Sequence, residues 1–143
     1  MAGIRCGFAF GDPRFIQILN NVKAPYNMNR LSSKVAIEAF KETGLAKLRG
    51  SVSSILEQRG EITRMLKEIP QVGKIHPSDA NFILFEVKNA KQVYLKMADS
   101  GVVIRYRGHE LHCANCLRAS VGTADENVKL VAKIKEVAAA CDI

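Results

Sequence analysis

Two arginines stand in settings that are otherwise apolar. Arg105 closes the run Val102-Val-Ile, and Arg118 follows Cys116-Leu, thirteen positions further on. A guanidinium held among apolar groups is costly unless an anion sits beside it. That partner is either an internal carboxylate or a ligand. Arginine's planar fork is suited to bidentate recognition of carboxylate or phosphate, which makes both residues candidates for holding a small charged metabolite. Residue types alone leave the two readings open.

A second group lies between them. His109-Glu-Leu-His112-Cys113-Ala-Asn-Cys116 brings two imidazoles and a Cys-x-x-Cys pair into eight residues. Such side chains ligate zinc. Four ligands from so short a stretch would crowd a tetrahedral ion, and His-Glu-x-His is one residue short of the zincin spacing. Nothing around the cysteines suggests the helix N-terminus that lowers a thiol pKa in redox motifs. The plainer reading is an inter-strand loop rich in histidine and cysteine.

The elements that must position these groups follow from period and punctuation. Residues 4–10 alternate loosely before Gly11-Asp12-Pro13, which reads as a short strand and then a helix with Asp12 as N-cap and Pro13 at its first position. Phe15, Ile16, Ile18, Leu19 and Val22 recur on that helix at helical spacing, and it ends before Pro25. Residues 24–29 are a polar connector. A second helix is expected after a cap at Ser32 or Ser33, with Val35, Ala36, Ala39 and Phe40 as its buried stripe and Gly44 ending or interrupting it. Residues 45–69 read as a long amphipathic helix closed by Pro70. Then come a strand at 81–87, a helix at 90–100 stopped by Gly101, strands at 102–106 and 117–121, and a closing helix at 125–140. The expected fold is α/β, an open sheet of about three to four strands with helices on one face. The opening strand has no evident partner among the segments that follow it.

The chain has 143 residues, 48% hydrophobic, which suits a folded domain of ordinary size. Its net charge of +7 raises nucleic acid as a partner. The basic residues, however, are dispersed among acids, as in Glu57, Arg59, Glu61, Arg64, Lys67 and Glu68, and no nucleic-acid motif accompanies them. No run approaches the about 20 apolar residues of a membrane span. Reduced cysteines and a cytoplasmic setting are expected, with neither nucleic acid nor membrane as partner.

Five motifs in order carry a resemblance that covers essentially the whole chain. They are Gly3-Ile-Arg5-Cys-Gly7, Lys23-Ala-Pro-Tyr-Asn27, Asp79-Ala-Asn81-Phe82, Gly101-Val-Val-Ile-Arg105, and Asn115-Cys-Leu-Arg118-Ala-Ser-Val-Gly-Thr123-Ala-Asp-Glu-Asn127. Together they resemble the C-terminal portion of the histidinol-phosphate aminotransferases. The resemblance implies the C-terminal part of a fold-type I aminotransferase, with pyridoxal 5'-phosphate as cofactor. It also implies transfer of an amino group between L-histidinol phosphate and 2-oxoglutarate, the amino donor of the cycle being glutamate, in histidine biosynthesis. It implies that residues 1–28 are a remnant of the large cofactor-binding domain and residues 29–143 the small domain with its connecting helix. It assigns Arg5 to the cofactor phosphate, Arg118 to the substrate carboxylate and the matching anionic end of histidinol phosphate, and Arg105 to the substrate phosphate. Family members are homodimers. The family's Schiff-base lysine falls before Met1, so no catalytic residue is assigned and this chain is expected to be inactive alone. The same resemblance makes residues 109–116 a variable loop, and no metal ligand is assigned there. The alternative is a non-catalytic α/β module that binds a small anion.

Overall fold

A computed structural model describes residues 2–142, which form two compact units, Met1–Gly50 and Ser51–Ile143. The first unit opens with a 3-10 turn, Ala2–Ile4, followed by helices α1 (Pro13–Val22) and α2 (Arg30–Ala39). Helix α3 (Glu42–Leu66) begins in this unit and ends in the second.

Local chemistry explains the helix starts. The Asp12 carboxylate accepts from the Arg14 N–H at 2.9 Å, with Pro13 in the first helical position, as expected. The cap of α2 is Asn29, not Ser32 or Ser33; its side chain accepts from the Ser32 N–H at 2.8 Å. Asparagine three residues before a free amide serves as well as serine, so the helix starts earlier. Gly44 does not end a helix either. It lies in the first turn of α3, where an added Cβ would fall 2.5 Å from the Ala39 carbonyl oxygen.

Residues 4–10 are not a strand. Beyond the 3-10 turn they run irregularly, and no described strand lies beside them to exchange backbone hydrogen bonds. The apolar side chains here stay open: Phe8, Phe10 and Leu19 are exposed, Phe10 at 90%, and Ile16 is half-buried. Of the stripe expected on α2, only Ala36 is buried.

The second unit holds the core. Strands β1 (Val72–His76), β2 (Phe82–Val87), β3 (Arg105–Tyr106) and β4 (Cys116–Ser120) form one antiparallel sheet in the order β1-β2-β4-β3. Helix α4 (Ala90–Asp99) follows β2, and α5 (Ala124–Ala140) follows β4. Burial alternates along β2, with Ile83, Phe85 and Val87 buried and the residues between them half-exposed. Their inward face meets Ile62, Leu66 and Ile69 from α3 and its exit, Val93 and Met97 from α4, and Ile134 from α5. Helices therefore cover one face only, as the hydrophobic pattern predicts.

Strand β1 was not foreseen. Gly73 and Lys74 interrupt its alternation, and its register with β2 shifts between Val72 and Ile75. The strand expected at 102–106 shortens to two residues. Gly101, at φ +81°, stops α4 in the left-handed region that glycine reaches without strain. Among the described residues no helix is long and apolar enough to cross a membrane.

Candidate functional site

Strand β4 positions the central group. Leu117 and Ala119 point into the core, so Arg118 between them projects from the face that carries no helix. Across the β3–β4 ladder Arg105 is the register partner of Arg118, which puts both guanidinium groups on that same face. Arg105 is exposed and Arg118 half-buried.

Arg118 is held by stacking rather than by a charge. Its guanidinium carbon lies 5.1 Å from the ring centroid of Phe82, two residues along β2 from its partner Leu84. The Nε of Arg118 is buried and meets no acceptor. Neither arginine forms an ion pair among the described residues. The acid nearest Arg105 in sequence, Glu110, pairs with Arg107 instead. A cavity of about 350 Å³ borders the pair and reaches Val103, Ser120 and Leu130. An unsatisfied buried donor beside a second unpaired cation is an arrangement that an anion completes.

The turn after β4 is braced from behind. Asn127 is buried, accepts from the Gly122 N–H at 2.9 Å, and donates to the Gly122 carbonyl and the Gln58 Oε1 at 3.0 Å each. Thr123 caps α5 by accepting from the Glu126 N–H, and the Glu126 carboxylate accepts in return from the Thr123 N–H at 2.8 Å. Those hydrogen bonds from Thr123 hold the Glu126 carboxyl below its usual pKa. A Cβ on Gly122 would lie 2.7 Å from a Glu126 carboxylate oxygen, so a side chain there would push that carboxylate out of the capping box. The motif Thr123-Ala-Asp-Glu-Asn127 thus fixes the exit of β4, and with it Arg118. Phe82, Asn127 and Thr123 lie within the sequence motifs, yet the motifs alone assign them no part in the site. For Thr123 and Glu126 the capping-box spacing was the available signal.

Arg5 lies in the first unit, exposed, at φ +56°. A non-glycine residue in the left-handed region is under strain, of the kind that clusters at functional positions. Its guanidinium has no ion-pair partner among the described residues.

His109 and His112 do not gather with the cysteines. Both imidazoles are exposed, and His112 and Asn115 take positive φ, which turns the loop sharply. The Cys116 thiol donates to the Ala114 carbonyl at 3.6 Å, and the imidazole and carboxylate gathered beside its sulfur are those of His76 and Glu86.

The family model for aminotransferase class I and II matches residues 1–134. The histidinol-phosphate aminotransferase of Flavobacterium psychrophilum is 40% identical over 135 residues, covering 94% of this chain and 38% of that protein. In fold, the chain is similar to a decarboxylase from Sulfurospirillum multivorans, with a TM-score of 0.81, 23% identity, and coverage of 95% of this chain and 40% of that one. It is also similar to a histidinol-phosphate aminotransferase from Sinorhizobium meliloti, solved in complex with pyridoxal-5'-phosphate. There the TM-score is 0.75, identity 23%, and coverage 90% of this chain and 35% of that one. The chain thus spans about two-fifths of the length of the relatives it matches. With 134 of its 143 residues under the family model, the chain belongs to the aminotransferase class I and II family.

Proposed function

We propose that these residues are the substrate-side portion of a pyridoxal-phosphate-dependent aminotransferase that moves an amino group between L-histidinol phosphate and 2-oxoglutarate. One observation carries the reading: the buried Arg118 Nε has no acceptor, and the Arg105 guanidinium stands beside it on the same open face. Arg118 takes the carboxylate of the amino-acid co-substrate and the corresponding anionic end of histidinol phosphate. Arg105 takes the substrate phosphate. Both substrates of the two half-reactions are anions, so one clamp serves each in turn. A hydrogen bond to a charged group contributes about 1.5–3 kcal/mol.

The residues present fit the cofactor at one point. Arg5 offers an unpaired guanidinium on a strained backbone, suited to anchoring a phosphate dianion. When bound, pyridoxal phosphate supplies the electron sink for the reaction. By the same resemblance the lysine that carries the cofactor is not among these 143 residues, so the chain alone does not transaminate. The homodimer and the division between large and small domains near residue 29 are part of this proposal. The two compact units described above divide elsewhere, at Gly50, and are a separate observation.

Calorimetric titration of the chain with L-histidinol phosphate and with 2-oxoglutarate tests the clamp. Both should bind, compete with each other, and lose binding in Arg118→Ala. A chain that binds neither, or binds both equally well after that substitution, overturns the reading. Incubation with pyridoxal phosphate and both substrates should give no amino transfer.

A further inference from the structure

The open face of the sheet carries a second cluster, one pleat along β4 from Arg118 and different in chemistry. Glu86 and Cys116 are register partners across β2 and β4, and His76 closes β1 on the far side of β2. Three neighbouring strands therefore converge an imidazole, a carboxylate and a thiol. The His76 Nε2 lies 3.3 Å from the Glu86 Oε1 and 3.7 Å from the Cys116 Sγ, and one ligand atom from each residue falls within 4.8 Å of the others. Cys116 is fully buried, while the His76 and Glu86 side chains keep 21% and 40% of their exposure. The cluster is thus walled on the protein side and open to entry from solvent.

These separations are those of ligands around one ion. With Zn–N and Zn–O near 2.0–2.2 Å and Zn–S near 2.3 Å, tetrahedral geometry puts nitrogen and oxygen ligands about 3.4 Å apart, and nitrogen and sulfur ligands about 3.6 Å apart. The donor set of one nitrogen, one oxygen and one sulfur matches borderline-soft zinc, not a hard cation such as magnesium or calcium. We propose that His76, Glu86 and Cys116 bind a zinc ion on the open face of the sheet, its fourth position turned toward the Cys113 thiol. The Cys113 side chain neighbours the Cys116 thiol, across the tight turn in which the Cys116 N–H donates to the Cys113 carbonyl at 2.9 Å. The ion ties the irregular strand β1 to β4 across β2. It uses half of the histidine-and-cysteine loop seen in the sequence and replaces both of that loop's histidines with residues from other strands. Binding displaces the thiol proton, which burial and the neighbouring Cys113 and Glu86 otherwise hold in place.

The test is titration of the reduced, metal-free 143-residue chain with zinc chloride, and with cobalt chloride as the spectroscopic probe. One equivalent should bind, raise the unfolding temperature, and give a thiolate-to-cobalt charge-transfer band. His76→Gln and Glu86→Gln should each weaken binding by about a hundredfold or more, and Cys116→Ser should abolish the band. Since Cys116 is buried and its replacement risks misfolding, the His76 and Glu86 variants decide, with circular dichroism confirming their fold. Failure of the reduced chain to take up stoichiometric zinc overturns the proposal. So does full affinity in both of those variants with loss in His109→Gln or His112→Gln, which would place the ion in the loop. None of these outcomes depends on whether the chain binds histidinol phosphate.

Discussion

Arg105 and Arg118 stand directly opposite each other across the β3–β4 ladder, with no carboxylate between them. Like charges at such a position destabilise strand pairing by about 0.2–1 kcal/mol. Strand β3 is only two residues long, so little ladder offsets that repulsion. Phe82 shields one face of the Arg118 guanidinium, whose Nε is buried without an acceptor. An anion placed between the two cations removes the repulsion and satisfies the buried Nε together.

The first prediction concerns this pair. Without added anion, Arg105→Ala should leave the unfolding temperature unchanged or slightly higher. With millimolar phosphate or glutarate, the native chain should melt higher and the variant should gain less. Arg118→Lys should lose the response as fully as Arg118→Ala, because an ammonium cannot make the bidentate contact. Thermal unfolding with and without anion reads all three variants. An anion response retained in Arg118→Lys would show that simple charge suffices.

Asn127→Ala should destabilise the second unit by about 1–3 kcal/mol, since it strands the Gly122 amide and carbonyl in a half-buried turn. Urea unfolding measures the loss. Because Gly122 follows the end of β4, anion affinity should fall along with stability.

Phe85→Ala should be more severe, at about 3–5 kcal/mol, because Phe85 is fully buried at the centre of the sheet's covered face. The same urea experiment should show a lower midpoint. A loss below about 1 kcal/mol would mean that the helices collapse into the space.

Acid should unfasten α5. The Glu126 carboxyl has a folded pKa below its ordinary value of 4.5, owing to hydrogen bonds from the Thr123 backbone and side chain. Its contribution to stability is therefore full above that ordinary value and fades as pH falls through the lower, folded value. Glu126→Gln should remove this part of the acid dependence. Stability measured by urea unfolding from pH 6 to pH 3 should fall less steeply in the variant.

Amide exchange should separate the units. Backbone amides of β2 and β4, lodged in the core, should exchange slowest. Those of α1 should exchange fast, since α1 has no buried residue. Mass spectrometry of exchanged peptides checks this, and equal protection in both regions would contradict it.

Where local pattern governs, the sequence was sufficient. The strand through Phe82-Ile-Leu-Phe-Glu-Val87, the Asp12-Pro13 start of α1, the Gly101 stop and the closing helix α5 each rest on nearest neighbours along the chain, and each appears as read. The two arginines were recognisable as anion-seeking residues for the same reason: their neighbours are apolar. Strand β1 and the irregular course of residues 4–10 went the other way. A strand exists only where another strand is there to pair with it, and no local pattern reports that. Tertiary structure alone decided that Arg105 and Arg118 share a face, since a register slip of one residue would have put them on opposite sides. It also decided that Cys116 meets His76 and Glu86, which come from strands distant in sequence, while the nearby His109 and His112 turn away. Side-chain type is written in the chain, but which groups face one another depends on pairing between distant segments.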